Sequence, residues 1–234
     1  MTAPGHEIRV AGAPVMTCLG PDDLGDLLAF HAALHDAATV PGLFVRETED
    51  FFLAHLGASG RVLGLRDAEG RLRAYGVLGL PAAADPENFA QGLGLDAADR
   101  ARVCHLDGCG VDPAWRGRGL QRDLARARLR LGRVLGRDLA ISAAAPANLA
   151  SLANLIRAGL EVRALVEKYD ALRFLLVHDA RACAVAGPPS ARVALPGTRA
   201  AHVALLDSGL RGIAVEGATT CPVLVYAAGE GGPQ

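Results

Sequence analysis

The sequence predicts an α/β (α+β) fold, in which helices cover a sheet with an antiparallel front. Two apolar segments flank Asp67-Ala-Glu-Gly70, a hairpin signal that predicts a pair of antiparallel strands. Farther along, the apolar segment Val103–Val111 leads through a glycine-rich turn into a strongly amphipathic helix. The chain has 234 residues, 51% of them hydrophobic, which is ample apolar material for the core of such a domain.

Local signals predict the elements that precede the central strand. We expect a strand at 15–19, then a helix that begins at Asp22 or Asp23 with acidic residues and ends near Asp36. A linking segment at 44–48, a helix at 49–56 and strands at 61–66 and 71–80 follow. Residues 81–100 show no clear period, so we interpret them as a long connection from which contacts to a substrate can come.

The central strand, residues 103–111, carries groups suited to proton chemistry. Strand alternation predicts that His105, Asp107 and Cys109 lie on one face of the sheet. It places Cys104, Leu106, Gly108 and Gly110 on the other face. Glycines inside a strand indicate a bulge or the close approach of another backbone. We expect no metal at Cys104, His105 and Cys109, because the alternation separates Cys104 from the other two.

The turn after this strand has the features of an anion site. Gly117 and Gly119 permit a tight fold that points several N–H groups into one concavity, and the helix N-terminus adds partial positive charge. Arg116 and Arg118 lie in the same turn. The spacing excludes a Walker loop, which needs a lysine, and a dinucleotide fingerprint, whose third glycine position is Arg122.

The helix that follows has an apolar stripe and an opposite basic stripe. The basic stripe consists of Arg122, Arg126, Arg130, Arg133 and Arg137. We interpret these arginines as a solvated face. Because the formal net charge is -1, no broad positive field indicates a nucleic-acid partner.

The turn Arg116-x-x-Gly119-x-Gln121, after an apolar strand and an Asp-Pro pair, resembles the acyl-coenzyme A signature R/Q-x-x-G-x-G/A of the GNAT N-acetyltransferases. The segment at 145–160 resembles the second cofactor segment of that superfamily, and the strands expected at 161–168 and 172–177 match its terminal hairpin. The resemblance covers roughly residues 14–180. It implies a GNAT-like mixed, mostly antiparallel twisted sheet flanked by helices.

The resemblance also implies acetyl-coenzyme A as acyl donor and a primary amine as acceptor. In that family the pantetheine arm of the coenzyme pairs like an extra strand with the central strand. The implied cofactor-binding residues are Cys109, Val111, Arg116, Gly117, Arg118, Gly119, Leu120, Gln121, Asn148 and Ser151. Acceptors include a small-molecule amine, a peptide N-terminus or a lysine.

Direct attack on the thioester needs a neutral amine and a route for the released proton. We predict His105 as general base, directly or through water, with Asp107 orienting it or binding the acceptor amine. The pair can also be a satisfied core contact.

Leu155 stands where many relatives have the tyrosine that protonates the leaving thiolate, and Gln121 replaces the usual Gly or Ala. Tyr169, in the turn of the last predicted hairpin, is a less favoured candidate for the acid that protonates the thiolate. A catalytically silent, coenzyme A-binding sensor or interaction domain therefore stays open.

The pattern changes after the predicted domain at 14–180. Residues 187–228 read as a small strand-helix-strand extension that packs on that domain, where it walls the acceptor cleft or mediates a homodimer. We expect disorder at 229–234.

The N-terminus has no signal-peptide pattern, no long apolar segment indicates a membrane, and five cysteines without a Cys-x-x-Cys pair form no disulfide framework. We therefore expect a cytoplasmic protein.

Overall fold

The computed structural model of the chain describes residues 7–8, 14–38, 44–182 and 187–229. Its strands are β1 Glu7–Ile8, β2 Met16–Cys18, β3 Gly60–Arg66, β4 Leu72–Gly79, β5 Val103–Val111, β6 Leu139–Ala144, β7 Glu161–Lys168, β8 Ala171–Asp179, β9 Pro189–Ala194, β10 Leu210–Glu216 and β11 Val223–Ala228. Its α-helices are α1 Leu24–Asp36, α2 Glu49–Leu56, α3 Ala97–Ala101, α4 Leu120–Val134, α5 Leu149–Arg157 and α6 Arg199–Asp207. Single turns of 3₁₀ helix occupy Pro21–Asp23, Phe89–Leu93 and Pro113–Trp115.

The described strands form one eleven-stranded sheet in the order β1-β2-β3-β4-β5-β6-β8-β7-β10-β11-β9. Among these strands only β5 and β6 pair in parallel. The helices α1 and α2 bury Leu27 and Phe52 against one face, whereas α4 and α5 bury Leu124 and Leu152 against the other. The predicted mixed, mostly antiparallel sheet flanked by helices is confirmed.

The segment at 81–100 is more ordered than the sequence indicated. It contains the 3₁₀ turn Phe89–Leu93 and the short helix α3, and each begins at a side-chain cap. Asn88 accepts from the N–H of Ala90, and Asp96 accepts from the N–H of Asp99. Helices this short have too few residues to show a period, so their capping residues are the signal that the periodicity missed.

Strand β5 contains a bulge at Asp107-Gly108. Gly76 of β4 lies opposite Cys109, but Leu78 lies opposite Leu106, so β5 carries one more residue than β4 between these pairs. The extra residue reverses the alternation. Cys109 therefore packs in the α4 cluster together with Cys104. The prediction that Cys109 shares a face with His105 and Asp107 is wrong, and so is the separation of Cys104 from Cys109.

Arg128 of α4 is buried beneath this bulge, with an exposed fraction of only 1%. Its Nη1 donates to the carbonyl oxygens of Val77, at 2.8 Å, and Asp107, at 3.1 Å. The bulge takes these carbonyls out of the regular ladder, and the guanidinium satisfies them. Gly76 leaves the space, since a Cβ there would lie 3.0 Å from Arg128 Nε. Sequence analysis missed this residue because its neighbours on the helix form the basic stripe.

One arginine of the predicted solvated stripe also has a structural role. Arg137 Nη1 donates to the carbonyl oxygen of Ala101 at 2.7 Å, and to those of Pro81 and Val103 at longer distances. It therefore ties the end of α4 to the start of β5, and its assignment to a solvated face is corrected.

We expect Arg128→Met to lower the free energy of unfolding by about 3 kcal/mol, because two buried carbonyls would lose their donor. Arg133→Met is the matched control, since Arg133 is an exposed residue of the same helix, and it should change stability by less than about 0.5 kcal/mol. Urea denaturation followed by circular dichroism measures both values. Equal effects would contradict the role assigned to Arg128.

The C-terminal segment continues the main sheet. Strand β10 pairs with β7 through Gly212 and Val162, and α6 packs against both strands. His202 is buried inside the segment, where it contacts Tyr226 Oη at 2.6 Å. The domain boundaries stay predictions, and the predicted tail lies, apart from Gly229, outside the described residues. No helix in the described part of the chain combines the length and hydropathy needed to span a bilayer.

Candidate active site

A cleft opens where the two parallel strands diverge. β5 and β6 pair from Val103 and Leu139 to His105 and Ile141, and the pairing then ends. Ser142 bridges the start of the gap, since its hydroxyl donates to Leu106 O at 2.7 Å. Beyond this point the strands border a cleft of about 690 Å³. Residues 106–109 of β5 and 142–145 line it, which leaves strand-edge backbone groups facing a potential ligand.

Gln121, in the first turn of α4, lines this cleft, and the glycine turn immediately precedes that helix. Gly117 and Gly119 have φ values of 77° and 79°, in the left-handed region that glycine tolerates best. The first intrahelical bond runs from Asp123 N to Gly119 O, and the N–H groups before it have no partner within the helix. Arg116 donates to Val111 O at 3.3 Å, whereas the Arg118 guanidinium lies 4.8 Å from the Trp115 ring.

A side-chain network joins α4 and α5 at the same end. Gln121 Nε2 donates to Ser151 Oγ at 3.2 Å, and Gln121 Oε1 accepts from Asn154 at 2.9 Å. Asn148 Oδ1 caps α5 by accepting from the N–H of Ser151. Gln121, which departs from the usual motif, thus clamps the two helices together.

The predicted cofactor residues fall into two groups. Cys109, Gln121, Asn148 and Ser151 line the cleft. Val111 pairs with Ala74 in the sheet, Leu120 is the buried first residue of α4, and residues 116–119 form the turn before that helix. All of these assignments stay predictions.

His105 is buried, and its Nε2 is engaged by the backbone. Its ring stacks on Phe89 with centroids 4.0 Å apart, and its Nε2 accepts from the N–H of Phe89 at 3.1 Å. Burial lowers the pKa of His105 to about 3, with smaller contributions from Lys168 and His55. At neutral pH the ring is therefore neutral, with its proton on Nδ1, 3.9 Å from Asp107 Oδ1. The prediction that His105 is the general base stays untested, but this geometry favours Asp107.

Asp107 presents a carboxyl group to the cleft. Burial raises its pKa to about 7; Glu47 acts in the same direction, whereas Arg128 and Lys168 oppose it. Gly79 makes this position possible, because a Cβ there would collide with Asp107 Oδ2. A carboxyl group with a pKa near neutrality can both accept and release a proton at the operating pH.

Two cleft residues come from parts of the chain that the motifs did not mark. His55 of α2 places Nε2 3.7 Å from Asp107 Oδ2. Glu47 lies in the segment before α2, and its N–H donates to His31 Nε2 at 2.9 Å. His31 in turn contacts Tyr75 Oη at 2.7 Å. No local signal identifies these residues, because their roles depend on contacts across the fold.

Aromatic side chains line the cleft, although the whole chain is only 4% aromatic. Phe44, Phe51, Phe89 and Tyr169 all line it. Tyr169 occupies the β7–β8 turn with a φ of 55° and is half exposed; partial desolvation and the nearby carboxyl groups raise its pKa. Leu155, at the position where the resemblance implies a tyrosine, is buried and also lines the cleft.

The chain matches no protein-family model. It matches no curated protein either. Solved acetyltransferase structures share its architecture. The aminoglycoside acetyltransferase AAC(6')-Ib, in complex with paromomycin and acetyl-coenzyme A, superposes with a TM-score of 0.56 at 18% identity, over 71% of this chain and 93% of that one.

Two ribosomal-protein acetyltransferases give similar values. The S18-alanine N-acetyltransferase of Escherichia coli has a TM-score of 0.50 at 15% identity, over 69% of this chain and 89% of its own. The S5-alanine acetyltransferase of Vibrio fischeri has a TM-score of 0.54 at 12% identity, over 71% of this chain and 93% of its own. Identities this low establish the fold alone. The chain has the GNAT N-acetyltransferase fold, which confirms the resemblance found in its motifs.

Proposed function

We propose that this chain, which has the GNAT fold, transfers an acetyl group from acetyl-coenzyme A to a primary amine by direct attack. One observation carries the proposal: a cleft between diverging parallel strands has a helix N-terminus at one end and Asp107, with a pKa of about 7, on its wall. The first feature suits a pyrophosphate, and the second suits proton removal from an amine.

The residues present fit the coenzyme. The N–H groups of Gly119, Leu120 and Gln121 have no partner within the helix, and they give this end of α4 a partial positive charge. Arg116 and Arg118 add positive charge beside them. The edges of β5 and β6 offer backbone groups to the amides of the pantetheine arm. Acetyl-coenzyme A supplies the activated acyl group, so no nucleophile of the protein is required.

The protein contributes position and proton transfer. Asp107 accepts a proton from the acceptor nitrogen, and the Nδ1–H of His105 faces that carboxylate at 3.9 Å. No acid is needed for the thiolate, because thiols are weakly basic at their reference pKa. Leu155 instead keeps the adjacent wall apolar.

A second, more specific proposal concerns the chemical class of the acceptor amine. AAC(6')-Ib is solved with an aminoglycoside, which supports a small-molecule amine. In this chain, four aromatic rings line the cleft, those of Phe44, Phe51, Phe89 and Tyr169. Aromatic faces attract an ammonium and pack against apolar groups, so they favour an amine carried on an aromatic or other apolar body.

A panel of amines with a thiol-release readout tests both proposals. The panel contains arylalkylamines, aliphatic amines, polyamines, aminoglycosides and a peptide with a free N-terminus, each run against a no-acceptor control. We expect kcat/KM for the best aromatic amine to exceed that for any polyamine by about tenfold or more, equal to about 1.4 kcal/mol of transition-state binding. Preference for polycations would contradict the acceptor class. Coenzyme binding without thiol release for any amine would favour the silent coenzyme-binding sensor.

A further inference from the structure

His55 has a fixed tautomer in the wall of the cleft. Its Nδ1 lies 2.7 Å from the carbonyl oxygen of Phe51, one helical turn earlier in α2. Because a carbonyl can only accept, Nδ1 carries the proton and the neutral ring presents the lone pair of Nε2. The Phe51 ring packs against the imidazole, with centroids 4.2 Å apart. The helix therefore holds the ring in one orientation.

The lone pair of His55 Nε2 faces Asp107 Oδ2 at 3.7 Å. A carboxylate oxygen and an imine nitrogen are both acceptors, so they repel each other unless a proton lies between them. A movement of less than about 1 Å would bring the pair to hydrogen-bond distance. Gly79 leaves the space between them open, since a Cβ there would contact both Asp107 Oδ2 and His55 Nε2.

His105 presents the opposite group to the same carboxyl. Its Nε2 accepts from the N–H of Phe89, so its Nδ1–H is the donor that faces Asp107 Oδ1 at 3.9 Å. Asp107 therefore lies between one imidazole that donates a proton and one that can receive it. The other charged or titratable groups that act on Asp107 are Glu47, Arg128 and Lys168, with Tyr169 nearby.

We propose that His55 is a proton relay, which receives at Nε2 the proton that Asp107 takes from the acceptor amine. His105 is a positioning residue that orients Asp107 through Nδ1–H. This inference rests on the proposed acetyl transfer. It adds a residue that no motif marks and gives the two histidines different roles.

The reaction moves one proton from the amine to solvent. The amine nitrogen bonds to the acyl carbon, the carbon–sulfur bond breaks, and the thiolate leaves with the electron pair. The proton lost from nitrogen bonds to Asp107, passes to His55 Nε2 and from there to solvent, and the thiolate takes a proton from solvent. Burial raises the pKa of Asp107 to about 7 and lowers that of His55, so the imidazole holds the transferred proton only weakly and releases it to solvent.

The kinetic test uses two variants of His55 in the full chain. His55→Asn keeps an N–H that can donate to Phe51 O but deletes Nε2, and we expect kcat to fall about tenfold or more with KM little changed. His55→Ala should show a similar loss that added imidazole restores in a concentration-dependent way. His35→Ala, on α1 and outside the cleft lining, is the control and should neither lose activity nor respond to imidazole.

A second readout does not require turnover. Nitrogen-15 NMR titration of His55 should show a lower apparent pKa in Asp107→Asn, because above about pH 7, where Asp107 is ionised, the wild-type imidazolium has a neighbouring carboxylate that the variant lacks. An unchanged His55 pKa, or His55→Asn with the wild-type kcat and pH profile, would overturn the relay. A shifted pKa in a protein that releases no thiol with any amine would overturn the proposed acetyl transfer while leaving the Asp107–His55 coupling intact.

Discussion

Asp107→Asn is expected to lower kcat by about a hundredfold or more and to remove the acidic limb of the pH–rate profile. The expected factor is the usual contribution of a general base. Asp107 acts as a base only when ionised, and its pKa is about 7. The wild-type rate should therefore fall as the pH is lowered through about 7, whereas the residual rate of the variant should not show this limb. Steady-state thiol release between pH 5.5 and 9 measures both properties.

Stability measurements show whether this variant is folded. Because the folded-state pKa of Asp107 is raised, the folded protein binds an extra proton between about pH 4 and 7, and the wild type loses stability as the pH rises through that window. Asp107→Asn lacks this loss and should be at least as stable as the wild type at pH 8. An activity loss with retained stability then reports on chemistry.

His105 provides the decisive comparison. If His105 were the base, as the sequence predicts, His105→Ala would remove the acidic limb while leaving coenzyme affinity nearly unchanged. With its Nε2 occupied and its pKa lowered to about 3, we expect His105→Ala to keep the limb and to lose thermal stability. Loss of the limb in His105→Ala, with Asp107→Asn unaffected, would reassign the base to His105.

Gly119→Asp is expected to weaken acetyl-coenzyme A binding by about a hundredfold, equal to about 2.7 kcal/mol. The new carboxylate would lie at the N-terminus of α4, where we place the pyrophosphate, and like charges repel there. Gly119→Asn is the matched control, because Asn has nearly the same size and both residues tolerate the φ of 79° at this position. Calorimetry gives the two dissociation constants, and the coenzyme-induced rise in melting temperature checks them.

The pair of variants separates charge from shape. Equal loss of binding in Gly119→Asp and Gly119→Asn would show that glycine's conformation, not charge, is what matters at the turn. Wild-type binding in both would place the pyrophosphate elsewhere. NADH and ATP are the ligand controls, and stabilisation by either one as strong as that by acetyl-coenzyme A would contradict the cofactor assignment.

The sequence by itself determined the elements whose signals are local. The hairpin at Asp67–Gly70, the length of β5, the glycine turn and the amphipathic α4 follow from short-range periodicity, turn chemistry and capping. The same signals were sufficient for the resemblance to the GNAT fold. They predicted a cofactor-binding turn and drew attention to His105 and Asp107, because a motif with fixed spacing carries its own geometry.

Only the tertiary structure decided what those residues do. The bulge in β5 reversed the alternation beyond Asp107, and a buried Arg128 from another element satisfies the carbonyls that the bulge releases. His55, distant in sequence, arrives beside Asp107 only through the packing of α2 on the sheet. Tautomers and pKa values depend on burial and on partners from other elements, and sequence periodicity contains neither. The chemical roles in this cleft are therefore set by long-range packing.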